Sequence, residues 1–305
     1  MTLAQRLQRW AYRARVALMG KPLTARLART VFALRAAIVT PPFVPPGHWA
    51  SPLTASADVE RALSWDRDSA PGVDLAEADQ RTLAHELTPM LDEPFDGLRY
   101  STGPENTMYL AADAAVYRAM LRHLRPNRVL EIGSGYSTAI ALDTADRHLP
   151  DLEFGCVEPY PDRLVGLLQP GDRDRVELYR CLVQELPLET YDTLGRGDVL
   201  FIDSTHVVKP GSDVVWLFLH VLPRLVPGVV VHVHDIFWPF EYPPEWLAER
   251  RDWTEGYLLH AFLAGNREWE ILLFSSWLWK RHPELVPPHL TAETPGNIWL
   301  RKGAS

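Results

Sequence analysis

Between Arg128 and His234 the chain alternates short β-rich apolar runs with segments of helical spacing, and this alternation restricts the fold more than any other feature. The strand candidates are Arg128–Ile132, Glu153–Glu158, Val176–Leu182, Asp198–Asp203 and Val229–His234, with helical segments expected near 137–147, 161–168, 187–194 and 210–224. Near-continuous apolar runs suit strands buried on both faces, and strands that run parallel need crossover helices between them. A further helix is expected around Pro244–Leu263, followed by strands at Trp269–Phe274 and Asn297–Arg301 that lie close to a hairpin. The expected fold is α/β: a doubly wound, mostly parallel sheet of seven strands, with a helical extension at the N-terminus. An apolar fraction of 47% is enough to fill its core.

Residues 1–40 have a different character: eight Lys or Arg, no acid, and apolar residues such as Leu3, Leu7, Trp10 and Leu23, Leu27, Val31, Leu34 at helical spacing. They read as a basic amphipathic helical arm for packing on a partner subunit in a homo-oligomer. An anionic membrane surface and a transit signal are the alternative uses. The Pro-rich stretch Thr40–Gly47 cannot continue a helix, so residues 41–106 form a linker and helical cap region, with a helical patch around Ala76–Leu91. Residues 107–305 form the main domain, entered through a helix over 107–124. The net charge of −8 includes the basic arm, so the rest of the chain is more acidic still and matches a phosphate backbone poorly. Nucleic acid is therefore not expected as a partner. No apolar run approaches the ~20 residues of a membrane span. Two cysteines, Cys156 and Cys181, support no disulfide framework and suit a reducing cytoplasm.

Chemistry concentrates at the ends of the strands. In Val129-Leu130-Glu131-Ile132-Gly133-Ser134-Gly135-Tyr136-Ser137-Thr138 a strand passes through a glycine turn into a helix. Gly133 and Gly135 allow a ligand close to the backbone, and Ser137 is positioned to cap the helix. A dinucleotide fingerprint would place a third glycine where Thr138 stands, which disfavours a nicotinamide cofactor. Glu158 ends the second strand, where a carboxylate can accept hydrogen bonds from both ribose hydroxyls. The fourth strand ends Phe201-Ile202-Asp203-Ser204-Thr205-His206 and the fifth Val231-His232-Val233-His234-Asp235. Acids and histidines at neighbouring strand ends are costly without a purpose, because unpaired buried polar groups lose several kcal/mol each. His232, deeper in its strand, reads as a satisfied core histidine. The aromatic segment Phe237, Trp238, Phe240, Tyr242, Trp246, with Trp253 and Tyr257, is expected to form a wall against an apolar or planar acceptor. Tyr100, Asn106 and Tyr109 could close the pocket from the N-terminal side.

The acid in the first strand followed by Gly-x-Gly resembles the first motif of class I S-adenosylmethionine-dependent methyltransferases. That resemblance covers residues 107–303 and implies a Rossmann-like catalytic domain. It places the cofactor against Glu131, Gly133, Ser134, Gly135, Ser137 and Glu158, with Gln184 and Glu185 at its adenine. Phe201–His206 and His232–Asp235 resemble the metal-dependent O-methyltransferases of the catechol type, and the bacterial enzymes of specialised metabolism with Ile-Asp-x-x-His and His-Asp blocks. By that likeness Asp203, His234 and Asp235 hold a divalent metal and His206 deprotonates the acceptor hydroxyl. The catechol enzymes use Lys as base and only oxygen ligands, whereas imidazole suits Fe, Zn, Ni or Co better than Mg. The expected function is metal-assisted O-methylation of a small hydroxylated or aromatic acceptor. The rival readings are an iron-dependent oxidative enzyme on the same fold and a non-catalytic scaffold.

Overall fold

The computed structural model describes residues 43–65 and 68–304; the basic arm expected over residues 1–40 lies outside them. The chain divides at Ala62/Leu63 into two units. In the first, turns follow the prolines and helix α1 (Ser56–Ser64) starts where Asp58 Oδ2 accepts the Ala55 N–H at 2.9 Å.

The second unit contains a seven-stranded sheet: β1 (Arg128–Ile132), β2 (Glu153–Val157), β3 (Val176–Tyr179), β4 (Val199–Ile202), β5 (Val230–His234), β6 (Trp269–Phe274) and β7 (Asn297–Lys302). Its order is β3-β2-β1-β4-β5-β7-β6. The first five strands are parallel, and β7 runs antiparallel to both β5 and β6. The α/β expectation therefore holds, with β7 inserted between β5 and β6. The helices are α2 (Glu77–Leu91), α3 (Ala111–Leu124), α4 (Tyr136–His148), α5 (Asp162–Leu167), α6 (Asp172–Arg175), α7 (Asp213–Trp216), α8 (Pro244–Ala248), α9 (Glu255–Leu263) and α10 (Ser275–Arg281). β1, β4 and β5 are apolar apart from Arg128, Glu131, His232 and His234, and their central residues are sealed from solvent.

Three expected helices take other forms. The segment near 187–194 is a 3₁₀ helix over Leu188–Thr193. The one near 210–224 is α7, then a π turn over Leu217–Val221, then a 3₁₀ turn over Leu222–Arg224; Pro223 has no N–H with which to continue an α-helix. The helix expected over Pro244–Leu263 breaks between Ala248 and Glu255. The run Glu249-Arg250-Arg251-Asp252 has no large apolar side chain to hold a helical face to the core, and Arg250 and Asp252 turn into the left-handed region at φ 53° and 54°. This break swings Thr254 and Glu255 back onto the fourth strand's loop. Their N–H groups donate to the His206 carbonyl at 2.8 and 3.1 Å.

The strand order reverses between β1 and β4, and at such a switch point ligands enter beyond the carboxyl ends of the strands. Register aligns those ends: Ile132 pairs with Val157 and Ile202, and Ile202 with Val233. Glu158, Asp203 and His234 each follow one of these partners, so all three emerge at one edge.

Candidate active site

The turn after β1 is shaped by β4. Gly133 sits at φ 80°, and a β-carbon there would meet the Asp203 carbonyl oxygen at 2.3 Å, so only glycine fits. Beneath it Glu131 is fully buried and accepts a hydrogen bond from Thr138 Oγ1. Burial pushes its carboxyl up to about 8, so it carries a proton near neutrality. Thr138 Oγ1 also accepts the Gly135 N–H at 3.2 Å. The cap expected of Ser137 is therefore made by Thr138, because α4 begins at Tyr136 and Ser137 already lies inside its first turn. Ser137 also lends the Glu131 carboxyl a hydrogen bond, and the hydroxyl of Ser134 is buried with no hydrogen-bond partner among the described residues. At the tip of β2, Glu158 accepts the N–H of Ser134 at 3.3 Å and of Tyr160 at 2.7 Å, which ties the glycine turn to the next strand. Arg163, which sequence reasoning missed, reaches across this turn: a β-carbon on Gly135 would lie 3.0 Å from its Cδ.

Farther along the edge, Gln184 Nε2 donates to the Gly211 carbonyl at 2.8 Å, and Glu185 Oε2 accepts the Leu182 N–H at 3.0 Å. Both polar groups thus hold the loop after β3. Tyr100 and Asn106 likewise serve their own loop: the Tyr100 hydroxyl and Asn106 Nδ2 both donate to the Tyr109 carbonyl. The Tyr109 ring lies 4.9 Å from that of His234.

Asp203, His206 and Asp235 converge at the ends of β4 and β5. Their ligating atoms lie within 4.8 Å of one another, with His206 Nε2 3.4 Å from Asp203 Oδ1 and 3.5 Å from Asp235 Oδ2. Both His206 (φ 60°) and Asp235 (φ 56°) are left-handed, a conformation that non-glycine residues hold only when their surroundings impose it. Here Ser204 Oγ accepts the His206 N–H at 2.9 Å and Asp213 accepts the Thr205 N–H at 2.8 Å. Behind the imidazole, His206 Nδ1 lies 2.9 Å from Glu255 Oε2, a fully buried carboxylate that also accepts from Ser204 Oγ at 2.9 Å. Burial alone would discharge His206, but the hydrogen bonds to Asp203 and Glu255 and the charge of Asp235 raise it well above its ordinary value. Asp203 resists its own burial and stays below the usual carboxylate range because His206, His234 and Arg163 face it; Asp235 is pushed up by burial.

His234 stands outside that trio: its Nε2 is 3.7 Å from Asp235 Oδ1 and its Nδ1 3.9 Å from Asp113 Oδ1. Asp113, on α3, accepts the Gly296 N–H and Asn297 Nδ2, and burial pushes its carboxyl up to about 6. His232 belongs to the core as expected, stacked 4.2 Å from Phe201, but neither of its ring nitrogens has a hydrogen-bond partner among the described residues.

The aromatic segment divides in two. Phe240 and Trp238 pack on Phe274 in the core. Trp253 lies 4.3 Å from the His206 ring, backed by Trp246 at 5.1 Å and Tyr242 at 6.0 Å, with Phe237 5.1 Å from Trp246. Neither Glu255 nor Asp113 gave a sequence signal, since an acid near a helix start is ordinary and its partner lies far off in the chain.

A glycine turn braced by the acid of β2, acids at the ends of β4 and β5, and an antiparallel β7 between β5 and β6 accompany a match of residues 130–236 to the family described as a methyltransferase domain. The chain belongs to the class I S-adenosylmethionine-dependent methyltransferases. This methyltransferase is 31% identical over 167 residues to an uncharacterized protein of Archaeoglobus fulgidus, across 49% of its own length and 73% of that protein's. It is also similar to the O-methyltransferase TomG from Streptomyces achromogenes, involved in tomaymycin synthesis and solved in complex with SAM. The identity is 20%, over 82% of this chain and 96% of that one, with a TM-score of 0.42. An O-methyltransferase from Bacillus cereus, solved with SAH, is 13% identical over 89% and 97%, with a TM-score of 0.43. No described helix of the methyltransferase is long and apolar enough to cross a membrane.

Proposed function

We propose that the enzyme methylates a hydroxyl of a small planar acceptor, with Asp203, Asp235 and His234 holding a divalent cation and His206 acting as base. The observation that supports this reading is the meeting of Asp203 and Asp235 at neighbouring strand ends, with His206 Nε2 3.4 and 3.5 Å from the two acids, its Nδ1 held by Glu255, and His234 Nε2 3.7 Å from Asp235 Oδ1 on the other side. Two acids so placed repel each other unless positive charge lies between them; the His206 imidazolium supplies it here, and a divalent cation would supply it when His206 is neutral and free to act as base. The donor set of carboxylate and imidazole fits a first-row divalent metal, and the orphaned Nδ1 of His234 facing Asp113 matches a ligand ring steered by a carboxylate behind it. Such a metal would lower the pKa of the acceptor hydroxyl.

Bound S-adenosylmethionine supplies a methyl group on a sulfonium leaving group. Glu158 is placed to accept the ribose hydroxyls, the Gly133–Gly135 turn leaves room for the chain of the ligand, and Gln184 and Glu185 border its adenine. In its neutral form His206 takes the hydroxyl proton at Nε2, and Glu255 stabilises the resulting imidazolium through Nδ1; because the surrounding carboxylates raise His206 in the resting site, methyl transfer should increase with pH as it loses that resting proton. Trp253 and Trp246 hold the acceptor flat and exclude water, so alignment contributes most of the rate. Use in specialised metabolism and an oligomer formed through the arm belong to the same proposal.

Chelation and Asp203→Ala should each abolish methyl transfer to 3,4-dihydroxybenzoate while S-adenosylhomocysteine affinity survives. Full turnover after exhaustive chelation, with no metal in the protein, would leave His206 acting alone and sink the metal assignment. Ferrous iron with oxygen consumption, and no methyl transfer, would favour the oxidative reading instead.

A further inference from the structure

Arg251 lies in the break between α8 and α9, between the two left-handed residues Arg250 and Asp252. Its guanidinium carbon sits 3.9 Å over the Trp246 ring and 5.2 Å from that of Trp253, the ring against His206. Only Nε is engaged: it donates to Glu249 Oε2 at 2.9 Å, an acid about half exposed at the surface. The two terminal amino groups have no hydrogen-bond partner among the described residues. The side chain is 29% exposed, and its charge reaches the Asp235 carboxylate.

A cation serving only to balance the acids of the site would be expected to pair with them directly. Arg99 does this elsewhere in the molecule, with Asp143, Asp146 and Asp172 in contact. Arg251 instead sits over an aromatic face, and its two terminal amino groups are left unengaged by the described residues. Two free guanidinium amino groups are the donors that take a carboxylate with two parallel hydrogen bonds.

We propose that Arg251 selects acceptors that carry a carboxylate, so that the substrate class is a planar hydroxylated ring bearing an anionic group. The ring would lie against Trp253, its hydroxyl toward His206 and its carboxylate toward Arg251. This inference rests on the methyl-transfer reading above.

The test is calorimetric titration of the protein saturated with S-adenosylhomocysteine, using 3,4-dihydroxybenzoate and its neutral methyl ester as probes. The wild type should bind the acid about tenfold or more tightly than the ester, as expected for charge-assisted hydrogen bonds. Arg251→Gln should remove that preference and leave ester affinity unchanged, and Arg251→Lys should restore part of it. A preference that persists in a folded Arg251→Gln protein overturns the inference. So does a wild type that binds both probes equally or neither. If the wild type fails to bind S-adenosylhomocysteine, the methyl-transfer reading itself falls, and this inference with it.

Discussion

Glu255→Gln isolates the group that sequence reasoning missed. The carboxylate is fully buried, and one oxygen, Oε2, serves both the Ser204 hydroxyl and His206 Nδ1, each at 2.9 Å. Glutamine keeps the volume and one acceptor oxygen, so packing is conserved and the lost quantity is the negative charge behind the imidazole. A hydrogen bond to a charged group contributes about 1.5–3 kcal/mol against about 1 for a neutral one, and it matters most once His206 holds the acceptor proton. At about 1.4 kcal/mol per decade, that difference of about 0.5–2 kcal/mol should lower kcat roughly 2- to 30-fold. The assay is release of S-adenosylhomocysteine from S-adenosylmethionine with 3,4-dihydroxybenzoate as acceptor, alongside calorimetric cofactor affinity and thermal melting. KM for the cofactor should stay level, because Glu255 lies on the far side of His206 from the glycine turn. Ser204→Ala, which leaves the His206–Glu255 contact intact, should cost much less. A folded Glu255→Gln protein with kcat equal to or above that of the wild type would refute the idea that this carboxylate sustains the base.

Glu158→Ala should weaken S-adenosylhomocysteine binding about tenfold or more by calorimetry, since it removes the proposed ribose acceptor and also frees the Ser134 and Tyr160 N–H groups; wild-type affinity in a folded variant would show that the pocket lies elsewhere. Asp172→Asn tests stability against pH. The Arg99 guanidinium, gripping Asp172 at 2.6 and 2.7 Å in a buried site, holds that carboxyl below its ordinary value. Its contribution is therefore present above about pH 4 and lost as the pH falls through the folded-state value. Because Asp143 and Asp146 still hold Arg99, the variant should be less stable at neutral pH by about 1.5–3 kcal/mol in denaturant melts, and the gap should narrow in acid; a gap independent of pH would contradict the assignment.

Much of the fold was legible because it is written in local periodicity. The buried parallel strands read as apolar runs, and the first five were placed to within a few residues at either end, with β3 ending at Tyr179 rather than Leu182. The candidate site was legible where a strand ends in a polar residue, as at Glu158, Asp203, His206 and Asp235, because strand order alone brings those ends to one edge. Helix continuity was not legible through Glu249–Asp252 or past Pro223, where side-chain charge and a missing N–H overrule a helical pattern. The partners that give the site its character were equally hidden. Glu255 meets His206 from 49 residues away, Asp113 faces His234 across the sheet's edge, and Arg251 stacks on Trp246 only because the helix breaks. Sequence by itself determined which residues lie in the sheet and which chemistry waits at its edge, since both follow from spacing along one strand. Only the tertiary structure decided which charges touch, because contact distance depends on crossings between elements that spacing along the chain does not encode.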